Sequence, residues 1–191
     1  MNGAEVAEKL NALHALLENW NGLKGFVSRH DFGALWPRHV EDSLQMVPLI
    51  GPEARRAIDI GSGAGFPGLV VAIAAGIHVD LFESNKQKAA FLREAIRVTA
   101  ANATVHAMRI EDSRLPPAAL ITARGVSALP LLLASAVPKL AEDGCCLFHK
   151  GAGFETEIAA ARRVWDMDVT RIPSRTGEGA VILRLSGLRR R

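Results

Sequence analysis

Apolar residues near the start of the chain recur at steps of four and three: Val6, Leu10, Leu13, Leu17 and Trp20. This spacing predicts a helix over residues 4 to 20 with one apolar stripe, which needs a body to pack against. Glu5, Glu8, Lys9 and Glu18 fall between those positions, a pattern unlike a signal peptide. Residues 21 to 34 are punctuated by glycine. LWPRHVEDSLQMVPLI then reads as a second helix, starting near Pro37 and ended by Gly51-Pro52.

Beyond that point the rhythm changes. Short β-branched runs at 56–60, 78–83, 103–108, 119–123, 145–150, 167–172 and 180–186 alternate with helical stretches, which predicts an α/β fold around a seven-stranded, mostly parallel sheet. Between the second and third runs, Asn85 is placed to cap a helix over 85–101 with Ala89, Leu92 and Ile96 on one face. The last two runs are joined by PSRTGEG, too short for a crossover helix, so they should pair antiparallel. The expected organisation is a helical extension over 1–52 packed on an α/β unit over 53–191, together one compact body.

Composition adds limits. Of 191 residues, 49% are hydrophobic and 23% charged, the ordinary balance of one globular domain. The longest apolar stretch, Gly68 to Ile77, is half the roughly 20 residues a membrane span needs, so no membrane partner is expected. The only cysteines, Cys145 and Cys146, are adjacent, with Cα atoms about 3.8 Å apart, too close for an unstrained disulfide. Reduced thiols in a cytoplasmic protein are expected, and no metal site. A net charge of +3 and the final Arg189-Arg190-Arg191 lean towards polyanionic partners.

The chemistry concentrates at the ends of the strands. Strand one ends in Asp59, followed by Gly61, Gly63 and Gly65, where missing Cβ atoms would let a ligand approach the backbone. Gly63 to Gly68 also matches G-x-G-x-x-G, although Gly61 and Ser62 precede it and the alignment from Gly61 puts Phe66 where the third glycine belongs. No Lys-Ser or Lys-Thr follows, which excludes a P-loop. Strand two ends in Glu83, an acid placed to accept hydrogen bonds from ribose hydroxyls and serving NAD and S-adenosylmethionine equally well. After strand three, Ile110 and Glu111 suit the face and the amine of an adenine. Arg124, ending strand four, is the cation nearest the reacting end of such a ligand, and a buried arginine must be paired or hydrated.

DIGSGAGFPG, FESNKQKAAFLRE, RIEDS, TARGVSALP and HKGAG stand in the order and spacing of the bacterial 16S ribosomal RNA (guanine-N7)-methyltransferases, the glucose-inhibited division protein B family. RHVEDSL (Arg38 to Leu44) resembles that family's R-H-x-x-D-S-L helix, and Trp20-Asn21 its first-helix ending. Where the family usually has N-L-T, this chain has Phe26-Val27-Ser28.

The resemblance implies a Rossmann-like, class I S-adenosylmethionine-dependent methyltransferase acting on 16S ribosomal RNA of the small ribosomal subunit, as a monomer. Gly61, Phe66, Ile110, Glu111 and Arg124 match its cofactor-contacting positions; Glu83, Gly63 and Gly65 join them on the physical grounds above. Guanine N7 carries a lone pair and no proton, so no catalytic acid or base is named. Trp36, Arg38, His39, Lys150, Arg171, Arg175 and the terminal arginines are candidate RNA contacts. Two other readings compete: an NAD(P)-dependent oxidoreductase using Gly63 to Gly68, and a non-catalytic ribosome-assembly factor.

Overall fold

In the computed structural model, which describes residues 2–24 and 36–191 without the side chains of 21–24 and 38, the seven expected strands form one sheet in the order β3-β2-β1-β4-β5-β7-β6. They are β1 (Arg56–Ile60), β2 (His78–Phe82), β3 (Ala103–His106), β4 (Ala118–Arg124), β5 (Leu140–Lys150), β6 (Trp165–Pro173) and β7 (Val181–Arg190). Only β7 runs against the rest, paired antiparallel with both β5 and β6. The Phe26-Val27-Ser28 departure lies outside the described residues, as does the Arg38 side chain.

Central strands are apolar on both faces because helices cover both. On one face α1 (Gly3–Lys24), α3 (Gly68–Ala75) and α4 (Lys86–Thr99) bury Leu13, Leu17, Ile73, Phe91 and Leu92 against Ala57, Leu81, Leu120 and Leu147. On the other, α5 (Leu129–Ala136) and α6 (Phe154–Ala161) bury Leu133 and Ile158 with Ile58, Ile121, Phe148 and Leu183. The α1 stripe is read correctly: Leu10, Leu13 and Leu17 are its buried positions. The helix runs on through Gly22 to Lys24, since one glycine costs only about 1 kcal/mol in a helix interior.

The second predicted helix breaks into pieces: a π-helical turn (Trp36–Glu41), α2 (Asp42–Leu44) and a 3₁₀ turn (Val47–Leu49). Pro48 supplies no amide and disfavours helical backbone at Val47, which ends the α-helical ladder. β5 starts at Leu140, well before residue 145, and β7 continues through Gly187 to Arg190. Gly187 takes φ +60° beside a register shift between Asp166 and Asp168, so Gly187-Leu188 is a bulge opposite Met167 within the strand. Arg189 and Arg190 therefore sit on a paired strand end.

Asn85 caps α4, its Oδ1 accepting from the amides of Gln87 (2.9 Å) and Lys88 (3.1 Å). Asn85→Ala should cost about 1 kcal/mol of stability, read as a lower urea midpoint at unchanged slope.

Candidate active site

The turn after β1 is held from beneath. Asp59 is wholly buried, and its Oδ1 accepts from the Thr122 hydroxyl at 2.6 Å, across the β1–β4 register that pairs the two residues. Burial pushes its carboxyl up to about 6, against the lowering effects of Thr122, Ser62 and the Gly68 amide. Ser62 donates its amide to Phe82 O (3.0 Å), and Gly65 donates to Ser62 O (2.7 Å). Glu83 closes the arrangement from the end of β2: Oε2 accepts from the Gly63 amide at 2.9 Å and Oε1 from the Asn85 amide at 2.7 Å. Only 8% exposed, this carboxylate ties the glycine turn to the start of α4.

A cavity of about 420 Å³ opens at the carboxyl ends of β1 and β2, where ligands bind in open α/β sheets. Gly61, Glu83, Ile110 and Glu111 all line it. Gly61 has φ +66°, and a Cβ there would fall 2.7 Å from Cγ2 of Val126, which also lines the cavity. Ile110 is buried in a short 3₁₀ turn. The Ser135 hydroxyl donates to Glu111 Oε1, and that bond with a backbone hydrogen bond holds the Glu111 carboxyl below its ordinary value.

A second cavity of about 580 Å³ lies at the ends of β4 and β5, sharing Val126 and Ser127 with the first. Arg124 is on its wall, with Asp42, His149 and Lys150. Asp42, 6% exposed, places Oδ2 3.2 Å from Arg124 Nη1 and 3.3 Å from His149 Nε2, while Oδ1 accepts from the Ser174 hydroxyl at 2.7 Å. Burial alone would raise the Asp42 carboxyl; His149, Ser174 and Arg124 together outweigh it and lower it to about 2. The partition between the cavities is pinned as well. Lys150 Nζ donates to Ser127 O and to Glu157 Oε2, both at 2.7 Å, and Glu157 also accepts the Leu129 amide.

Of the eight residues singled out in the sequence, four thus share one cavity and Arg124 borders the next. Gly63 contributes its amide to Glu83. Gly65 and Phe66 turn into the protein: a Cβ on Gly65 would meet Leu69 Cδ1 at 2.6 Å, and the buried Phe66 ring stacks on His39 at 5.2 Å. Among the candidate RNA contacts, Trp36 meets His14 edge-on and packs on the core, Lys150 is engaged as described, and Arg171 is paired with Glu155 at 2.6 Å. Arg175, Arg189 and Arg190 are exposed. Asp42, His149 and Ser174 were not singled out; their only signal was membership of the RHVEDSL, HKGAG and PSRTGEG segments. Among the described residues no cluster of His, Cys, Asp and Glu could hold a metal ion, and no helix is long and apolar enough to cross a membrane.

The family model of rRNA small subunit methyltransferase G matches residues 6–179. The chain belongs to that family. Its relatives include the ribosomal RNA small subunit methyltransferase G of Gluconobacter oxydans, 48% identical over 97% of this chain and 96% of the relative. That of Acidiphilium cryptum is 50% identical over 95% of this chain and 85% of its own length. Among solved structures, a ribosomal protein L11 methylase from Lactobacillus delbrueckii subsp. bulgaricus superposes with a TM-score of 0.61 at 16% identity, covering 78% of each chain. M. jannaschii TYW2 in complex with AdoMet gives 0.57 at 18% identity, covering 77% of this chain and 73% of the other. These structural likenesses concern the fold: a class I methyltransferase sheet with its last strand reversed. Membership of the methyltransferase G family sets aside the dinucleotide reading of Gly63 to Gly68.

Proposed function

We propose that the chain transfers the methyl group of S-adenosylmethionine to N7 of a guanine in small-subunit ribosomal RNA, acting as a cytoplasmic monomer whose N-terminal helices and α/β unit work as one body. The observation that carries this reading is the pair of adjoining cavities, one built around Gly61 and Glu83, the other around Arg124. The first fits a nucleoside. Glu83 is fixed by two amides and keeps lone pairs for ribose hydroxyls, Ile110 and Glu111 offer an apolar face and an acceptor for adenine, and Gly61 leaves no room for a side chain. Bound S-adenosylmethionine supplies a methyl group on a sulfonium, open to in-line attack by an unprotonated lone pair.

The protein's own contribution is alignment, where effective molarities of roughly 10⁵ to 10⁸ M are attainable. Guanine N7 has no proton to lose, so the site needs no general base. Methylation there leaves the purine positively charged, and a bare cation beside it would oppose the reaction. Arg124 is not bare: Asp42 sits against it. This favours a role for Arg124 in orienting polar groups of the cofactor or substrate away from the reacting atom.

The deciding experiment supplies labelled S-adenosylmethionine and unmodified small-subunit RNA or subunits, then tests for N7-methylguanosine by chemical cleavage. Label at that atom is the expected result; label elsewhere overturns the target atom, and none at all favours an assembly factor. RNA binding should depend on salt through Arg175 and the strand-end arginines. Arg175→Ala should lower the slope of log K against log salt by roughly one, whereas Arg171→Ala should change it less because Glu155 already neutralises that guanidinium.

A further inference from the structure

We propose, on the methyl-transfer reading above, that Asp42 is a positioning residue: it fixes Arg124 on the wall of the second cavity, next to the partition, and couples that arginine to the turn between β6 and β7. Asp42 reaches the site from the N-terminal helical segment, far from its partners in sequence. Ser174 is 132 positions away and His149 is 107. His149 Nε2 faces two acceptors, the Asp42 carbonyl oxygen at 3.0 Å and Oδ2 at 3.3 Å, so this nitrogen carries the proton. One carboxylate therefore meets a guanidinium, an imidazole N–H and a hydroxyl. Both oxygens are needed: Oδ2 serves Arg124 and His149, and Oδ1 serves Ser174.

The Ser174 end of this network organises the turn that presents Arg175. Ser174 Oγ accepts from the amides of Thr176 (3.2 Å) and Gly177 (3.1 Å) while donating to Asp42. The Arg175 amide donates to Gln45 Oε1 at 3.2 Å, a second tie from the turn to the segment carrying Asp42. The Arg124 end acts on the partition. Gly125, at φ +62°, leads from Arg124 directly into Val126 and Ser127, the residues common to both cavities. A guanidinium released from Asp42 would let the partition shift, and the two ligands would lose their relative alignment. A turn released from Asp42 would instead loosen the presentation of Arg175 with the partition still in place.

These two ends make separable predictions for the full-length protein assayed with S-adenosylmethionine and unmodified small subunits. Asp42→Asn keeps an acceptor for Ser174 and removes the charge that holds Arg124; kcat should fall at least thirtyfold while KM for the RNA changes less than threefold. Ser174→Ala leaves the carboxylate on Arg124; KM for the RNA should rise five- to tenfold with kcat within twofold. If Asp42 works through Arg124, the double variant Asp42→Asn/Arg124→Gln should turn over no more slowly than Arg124→Gln alone. Additive losses in that cycle, or an Asp42→Asn enzyme within threefold of wild-type kcat, would overturn the proposal. Should Asp42→Asn not fold, an unchanged KM in Ser174→Ala overturns the coupling by itself. Wild-type protein that produces no N7-methylguanosine defeats the functional reading instead, so the two failures are distinguishable.

Discussion

Glu83→Ala should weaken S-adenosylmethionine binding by about a hundredfold and lower folding stability by roughly 2–4 kcal/mol. The two losses have separate origins. In the folded protein the carboxylate accepts from the amides of Gly63 and Asn85, and hydrogen bonds to a charged group contribute roughly 1.5–3 kcal/mol each. Alanine would leave both amides without that acceptor in a place only 8% exposed. The expected loss stays below the sum because Glu83 also helps raise the Asp59 carboxyl, and its removal relieves that repulsion. On binding, the lone pairs that remain on Glu83 would be lost to the ribose, and two such bonds amount to a hundredfold or more in affinity. Glu83→Gln should fall between wild type and alanine, since one of its two terminal atoms becomes a donor facing an amide N–H. Calorimetric titration with S-adenosylmethionine and urea denaturation measure the two effects independently. Wild-type affinity in a folded Glu83→Ala protein would remove this residue from the cofactor site.

Glu83 was legible in the sequence because a strand pattern ended at it 22 positions after Gly61, and both signals are local. The same locality explains most of the sheet: runs such as RAIDI and CCLFHK are apolar on both faces and bracketed by turn residues. Where the reading stopped short, the missing signal was a partner. Leu140 is strand because β4 pairs it with Ala118, and residues 141–144 bulge opposite Ala119 before pairing resumes at Cys145; Ser186 is strand because β6 pairs it with Asp168. Phe66 is a sharper case. Its place in the G-F-P-G segment says nothing of its packing, and only the structure shows the ring stacked on His39 of the N-terminal segment and absent from the lining of both cavities. Asp42 shows the same limit for charge: an acid in an amphipathic turn reads as solvated until Arg124, His149 and Ser174 converge on it.

Gly68→Ala should lower the melting temperature by roughly 6–12 °C, corresponding to about 3 kcal/mol, although this glycine lines neither cavity. It opens α3, and six of that helix's eight residues are buried. A Cβ at Gly68 would lie 2.5 Å from Leu81 Cδ2, 2.6 Å from Asp59 Oδ2 and 2.7 Å from Asp59 Cβ. Neither side chain has open space to swing into: Leu81 and Asp59 are both wholly buried on adjacent strands. Making room would push Asp59 away from the Thr122 hydroxyl beneath the glycine turn, so the strain would reach the floor of the site. The comparison that isolates this effect is Gly63→Ala. Gly63, unlike Gly68, has positive φ, at +56°, and its added Cβ would meet only Gly61 O, at 3.7 Å. That variant should lose only the backbone cost of about 1–2 kcal/mol. The expected order places close helix–strand packing in the third glycine of Gly63-Ala64-Gly65-Phe66-Pro67-Gly68. The G-x-G-x-x-G match is then explained by how tightly α3 meets β1 and β2, with no dinucleotide required. A Gly68→Ala protein that melted with wild type, above Gly63→Ala, would show that β1 and α3 can separate, and the match would need another explanation.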